Sequence, residues 1–285
     1  VTKNMQTLAR LIGASGAGGA AAGSLGAALI EKLGINDPKE FEKAVDTLLV
    51  QGQAGGFELD DFAALGERIV TSMAGTGGLG VEGARDLGAL MQMARKGSGG
   101  PEEAATAFEA YVNNLRDQEV VKKLQERGGI KVFEDDDPDK MRNLLDLTKD
   151  IIAASGGSMR KLSDVFDVRA QRALSVMALE FENKRGFDML DSFLAVGGDG
   201  KKLLEDSARA AQTMDAALTS LSSTLQNLAD KNLSGPVQGL ADAINSLDAD
   251  HLDTIFKTLL GIGVAVGCLV LANKLIKFGK GLAGA

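Results

Sequence analysis

Apolar residues along this chain recur mainly at helical spacing. Phe41, Ala44, Val45, Leu48 and Leu49 form one stripe, and Phe62, Leu65, Ile69 and Met73 form another within a helix expected over Glu58 to Met73. A further helix is expected over Val81 to Arg95, and the next carries Phe108, Val112 and Leu115. Start and stop signals agree with these periods. Asp37-Pro38-Lys39-Glu40 supplies an N-cap, a proline at the first helical position and a glutamate that reaches back. Gly52, Gly55 and Gly56 close that unit, Gly97 to Pro101 forms a turn, and Gly128 with Gly129 stops a short helix. Ile130 to Phe133 alternates like a strand, and the acids Glu134 to Asp137 follow it. Asp137-Pro138 then reads as a second helix start, running through Met141, Leu144, Leu145, Leu147 and Ile151 to Gly156. The helical pattern resumes from Ser163 to Glu182.

The texture changes at Lys201. Leu204, Ser207, Ala211, Met214, Leu218, Leu221, Leu225 and Leu228 alternate intervals of three and four, the a/d spacing of a coiled coil. Ser234-Gly-Pro236 breaks this seam, and a short amphipathic helix with Val237, Leu240, Ala243 and Ile244 leads to Asp248. Thr258 to Asn273 then runs for 16 residues without a charge. Ile255 and Phe256 precede it and Leu275 and Ile276 follow, so Ile255, Phe256, Leu259, Leu260, Ile262, Val264, Val266, Leu269, Val270 and Leu271 make a membrane-capable stretch flanked by lysines. A second uncharged run, Leu11 to Ile30, holds six Gly and seven Ala among 20 residues. Its length would suit a membrane span, but its feeble hydrophobicity favours a Gly/Ala linker or a loosely packed helix.

The pattern as a whole is all-α: an elongated series of Gly-punctuated amphipathic helices, a coiled-coil-like helix and a hydrophobic end. Residues 1–36 form a Gly/Ala-rich segment, 37–200 a helical region, 201–247 the coiled-coil-like part and 248–285 the membrane-capable segment. Composition sharpens this picture. Trp is absent and Gly reaches 36 of 285 residues, so closely packed thin helices suit the chain better than a thick aromatic core. A net charge of −8 argues against direct nucleic-acid binding, which needs clustered Lys and Arg. One cysteine, Cys268, excludes an intramolecular disulfide and fits a reducing compartment. The bare starts and stops at Val1 and Ala285 suggest a piece of a longer polypeptide.

Motifs for chemistry are weak. Gly78-Leu-Gly80-Val-Glu-Gly83 matches a dinucleotide fingerprint in letters, but a helix is expected where the fingerprint needs a strand. Gly197 to Lys201 resembles a phosphate loop without the Ser or Thr that should follow its lysine. Glu134 to Asp137 lacks the ligand spacing of a calcium loop. His251 is the only histidine, which rules out a multi-histidine metal site, and the aspartates around it suit a helix cap. We therefore expect no enzyme, no cofactor and no metal.

Several strings are similar to the tape measure proteins of tailed bacteriophages. Gly52-Gln-Ala-Gly-Gly-Phe-Glu-Leu-Asp-Asp-Phe-Ala63 resembles a glycine-rich turn before a Phe-Glu-Leu helix start in that family. Gly83 to Arg95 with Pro101 to Leu115 resembles its paired Gly/Ala-rich helices. Gly129-Ile-Lys-Val-Phe133 and Leu162-Ser-Asp-Val-Phe166, with Ala170, Ala173 and Leu174 behind, resemble later landmarks in the same order. The resemblance covers about Val45 to Gly200. It implies a chain that fills the tail tube, sets tail length and is expelled ahead of DNA to help genome entry. The implied partners are further copies of the chain as a trimer or hexamer, the tail tube protein, tail-tip or baseplate proteins, assembly chaperones and, on release, the host membrane. The implied locations are host cytoplasm during assembly, the virion tail lumen and the host cell membrane. A holin-like or pore-forming protein is the alternative, since it would use the same hydrophobic end.

Overall fold

The computed structural model describes residues 4–73 and 75–213. Its helices are α1 (Met5–Ser15), α2 (Gly19–Leu33), α3 (Pro38–Gly55), α4 (Leu59–Met73), α5 (Gly80–Lys96), α6 (Pro101–Asn114), α7 (Gln118–Gly128), α8 (Leu144–Ser155), α9 (Met159–Ser163), α10 (Val168–Lys184) and α11 (Asp188–Leu194). A further helical run covers 201–213 and is called α12 below. The all-α expectation holds among the described residues, where only isolated bridges join Phe133 and Thr76 to Met141.

Local chemistry fixes many of these ends. Asp37 accepts from the amides of Lys39 and Glu40, and Pro38 opens α3 where a missing N–H costs nothing. Asp117 caps α7, Asn143 caps α8 and Asp167 caps α10 in the same way. Burial pushes the Asp167 carboxyl up, but bonds from the Ala170 amide, Asn114 and the Arg169 amide prevail and hold it below the usual range. Arg185, at φ 58, is the non-glycine residue that closes a helix in the left-handed region, after α10.

The helices do not form an extended string. α3 packs on α5, α2 on α4, and α10 on both α5 and α6, while α4 also meets α6. One continuous apolar core results, and it includes Leu11, Leu25, Phe41, Phe62, Phe108, Leu147 and Leu174. Its few aromatics are placed centrally: Phe41, Phe57, Phe62, Phe108 and Tyr111 are fully buried. Tyr111 donates to Thr148 Oγ1 at 2.8 Å, because that hydroxyl's own hydrogen goes to the Leu144 carbonyl at 2.6 Å. Burial drives the Tyr111 phenol well above its ordinary pKa, so it stays a neutral donor.

The corner from Gly52 to Phe62 shows why the sequence needs glycine there. Gln92 of α5 inserts its amide between α3 and α4, accepting from Phe57 N–H and donating to Phe57 C=O, both at 2.9 Å. A Cβ on Gly55 would lie 2.2 Å from Gln92 Oε1, so any side chain would eject the clamp. Phe57 then meets Phe62 edge-on, with ring centroids 4.7 Å apart.

Among the readings of the Gly/Ala-rich stretch the helical one holds, and four other expectations require correction. In that stretch α1 ends at Ser15, α2 begins at Gly19, and α2 buries Leu25, Leu29 and Leu33. Helices of 11 and 15 residues reach about 16 and 22 Å, short of a hydrocarbon core of about 30 Å. No helix among the described residues is long and apolar enough to cross a membrane. Ile130 to Phe133 forms no strand, and Asp137-Pro138 opens no helix. There the Met141 and Arg142 amides donate to Gly75 and Val132 carbonyls, and Asp137 accepts from the Asp139 amide in a local turn. Helix α8 starts only at Leu144, under the Asn143 cap. The run Ser163 to Glu182 is broken between α9 and α10, since Asp167 in an extended conformation restarts the helix. The expected extended series is folded back on itself because each short helix has an apolar face that only its neighbours can cover.

Candidate functional site

The described part of the pattern expected to be a coiled-coil seam lies in α12, so the groups that launch this helix set how its base sits on the domain. α12 follows the loop Gly197-Gly-Asp-Gly200, whose letters resembled a phosphate loop. The first turn of any helix leaves N–H groups without partners, and an anion placed there satisfies them. Here the anion belongs to the protein. Asp46, on the flank of α3 and only 1% exposed, accepts from Gly200 N–H at 2.9 Å and from Leu203 N–H at 2.6 Å. A carboxylate from a distant helix thus occupies the position that a phosphate would need.

The rest of α3 extends this latch. Thr47 Oγ1 accepts from Gly198 N–H at 2.9 Å. The loop backbone comes so close that a Cβ on Gly198 would lie 2.5 Å from Thr47 N and 2.6 Å from Lys43 O. One turn on, the fully buried Gln51 donates to the carbonyls of Phe193 and Arg85, each at 3.0 Å, and so joins α3 to α5 and to the end of α11. Near the end of α3, Gln53 donates to Asp206 Oδ2 at 2.7 Å, while Lys202 reaches the other oxygen at 2.8 Å. Burial pushes the Asp206 carboxyl up, but those bonds outweigh it and hold its pKa low. Glu42 ion-pairs with Arg10 of α1 beside the same loop.

Leu203 is the apolar anchor of α12, with no exposed surface. Leu204 points away and is 49% exposed, and Ser207 and Ala211 are half-buried. Ser207 lies so near α1 that a Cβ on Gly13 would stand 3.3 Å from its Cβ. Met214, Leu218, Leu221, Leu225 and Leu228 lie outside the described residues, as do the apolar run from Ile255 to Ile276, His251 and Cys268. The latch residues Asp46, Thr47, Gln51 and Gln53 carried no motif in the sequence. Their signal was indirect: glycines at Gly197, Gly198 and Gly200 mark a backbone that must approach something closely.

The other motif regions are structural. Gly78 to Gly83 follows helix α4, not a strand, and a Cβ on Gly83 would lie 2.6 Å from the Gly78 backbone. No cluster of potential metal ligands occurs among the described residues. The site therefore offers geometry for holding a helix.

A family model described as phage-related minor tail protein matches residues 1–177. The chain belongs to that family. No curated protein and no solved structure matches it. In this minor tail protein, the matched stretch includes α1 to α9 and most of α10, and so contains Asp46, Thr47, Gln51 and Gln53. The loop and α12, which those residues grip, follow the matched stretch. A phage tail role and an all-helical fold are thus in hand before any finer function is considered.

Proposed function

We propose that this phage tail protein is a tape measure protein, which lies in the tail lumen, sets tube length during assembly and leaves with the genome. The observation that carries the reading is the latch: a folded helical domain grips the base of α12, where a heptad-like leucine pattern begins and runs on to Leu228. A ruler needs such an arrangement, because a linear helical segment measures distance only if one end is fixed to a defined body. The tape measure resemblance over Val45 to Gly200 and the tail-protein family match support the same reading. In it the chain is not an enzyme, self-associates through the seam, and contacts tube and tail-tip proteins.

Release is the second part of the proposal. The apolar run from Ile255 to Ile276 would be covered inside the tail and would meet the host membrane after expulsion. Cryo-electron microscopy of intact tails, with this chain tagged at a surface loop such as Asp135 to Lys140, tests the location. Label inside the tube supports the reading. Label confined to the outer surface of the tail overturns it.

A further inference from the structure

α7 is a peripheral helix that buries only Val120 and Leu124, and it leaves a cleft against α8 and α9. The cleft has a cavity volume of about 260 Å³, room for a few aliphatic side chains, and Leu124, Ile151 and Phe166 form its floor. Its rim is cationic: Lys123 and Arg127 come from α7 and Lys161 from α9. Arg127 pairs with Asp164 across the mouth at 3.2 Å, whereas Lys123 and Lys161 have no ion-pair partner among the described residues. In a chain of net charge −8, an apolar floor under two uncompensated lysines selects an acidic amphipathic ligand.

The same chain contains such a segment. Val237, Leu240, Ile244 and Leu247 recur at helical spacing, with Asp242, Asp248, Asp250 and Asp253 around them. Between Lys231 and Lys257 there is neither lysine nor arginine. On a helical wheel, Asp248 and Asp250 border opposite sides of the apolar stripe, where they would face cations on both lips of a cleft. The tether from Thr213 to Val237 has 23 intervening residues. Extended, it would reach about 78 Å, beyond the roughly 42 Å diameter of a domain of about 200 residues.

We infer that the cleft between α7, α8 and α9 receives the acidic amphipathic segment Val237 to Asp250 of the same chain. In the free chain, before assembly draws the seam out, docking there holds the flank of the following apolar run against the domain. The inference stands on the cleft and on the sequence of the segment, and does not depend on the tape measure reading. Carbodiimide coupling of the full-length chain tests it, using an equal mixture of unlabelled and ¹⁵N-labelled protein and mass spectrometry of the joined peptides. The expected result is links from Lys123 or Lys161 to Asp248 or Asp250 within chains of a single isotope. Leu240→Asp with Ile244→Asp should lower their yield at least tenfold, since those changes remove the apolar side chains and leave every linking group in place. Absence of these links overturns the inference, as does an unchanged yield in the double variant. Links joining labelled to unlabelled chains overturn it too, by assigning the cleft to a second copy.

Discussion

Asp46 connects two parts of the chain that are 154 residues apart, from its own position to Gly200. Removing its carboxylate leaves the Gly200 and Leu203 amides buried without acceptors, and an unsatisfied buried donor costs about 1–3 kcal/mol. Asp46→Ala should therefore lower the melting temperature and speed hydrogen exchange at the Gly200 and Leu203 amides, while exchange in α6 and α10 keeps its order. Unchanged exchange at those two amides would show that the loop is held by Thr47 and Leu203 alone. The sequence did not announce this residue. Asp46 lies off the apolar stripe of α3, where an aspartate ordinarily meets water, and nothing local to it points across the chain to Gly200. Gly198 and Gly200 were visible, but they were read as part of a failed phosphate loop; the anion such a loop would hold is replaced by a protein side chain.

Helices with local signals were legible. The Asp37-Pro38 start of α3 and the Gly129 stop of α7 depend on neighbours within four residues, and both appear as expected. The same reasoning failed at Asp137-Pro138, because the Met141 and Arg142 amides are drawn to Gly75 and Val132, partners outside any local window. Before Asp37 it reached a helix only beside a linker, because glycine suggested looseness. In α2 and α4 glycine does the opposite: Gly66 sits so close to Leu25 that a Cβ there would lie 2.5 Å from Leu25 Cδ1, so its lack of a side chain lets the helices touch. For α12, the half-exposed Leu204 leaves the start of the heptad pattern open to a partner. We expect the seam to drive self-association, and Leu218→Asp with Leu221→Asp should reduce the sedimentation coefficient to that of a single chain. Identical sedimentation of the two proteins would mean that the pattern serves only packing within one chain.

At the scale of the whole molecule, the described chain is a helical domain with a shared core, on which Asp46 and Leu203 hold the base of α12. That the helices would pack at all followed from their apolar stripes; that they would close on one core rather than run as an extended series did not, because the stripes specify a face and not its neighbour. The cleft of the further inference shows the same limit, since Lys123 and Lys161 come together only through the packing of α7 against α8 and of α8 against α9. Function at this scale is a matter of length. If the domain anchors a ruler, residues added to the seam must appear as distance in the particle. Phage carrying about six extra heptads after Leu228 should assemble tails about 60 Å longer, at the helical rise of about 1.5 Å per residue, as measured on electron micrographs. Tails of wild-type length, with the enlarged chain incorporated in normal amount, would contradict the account.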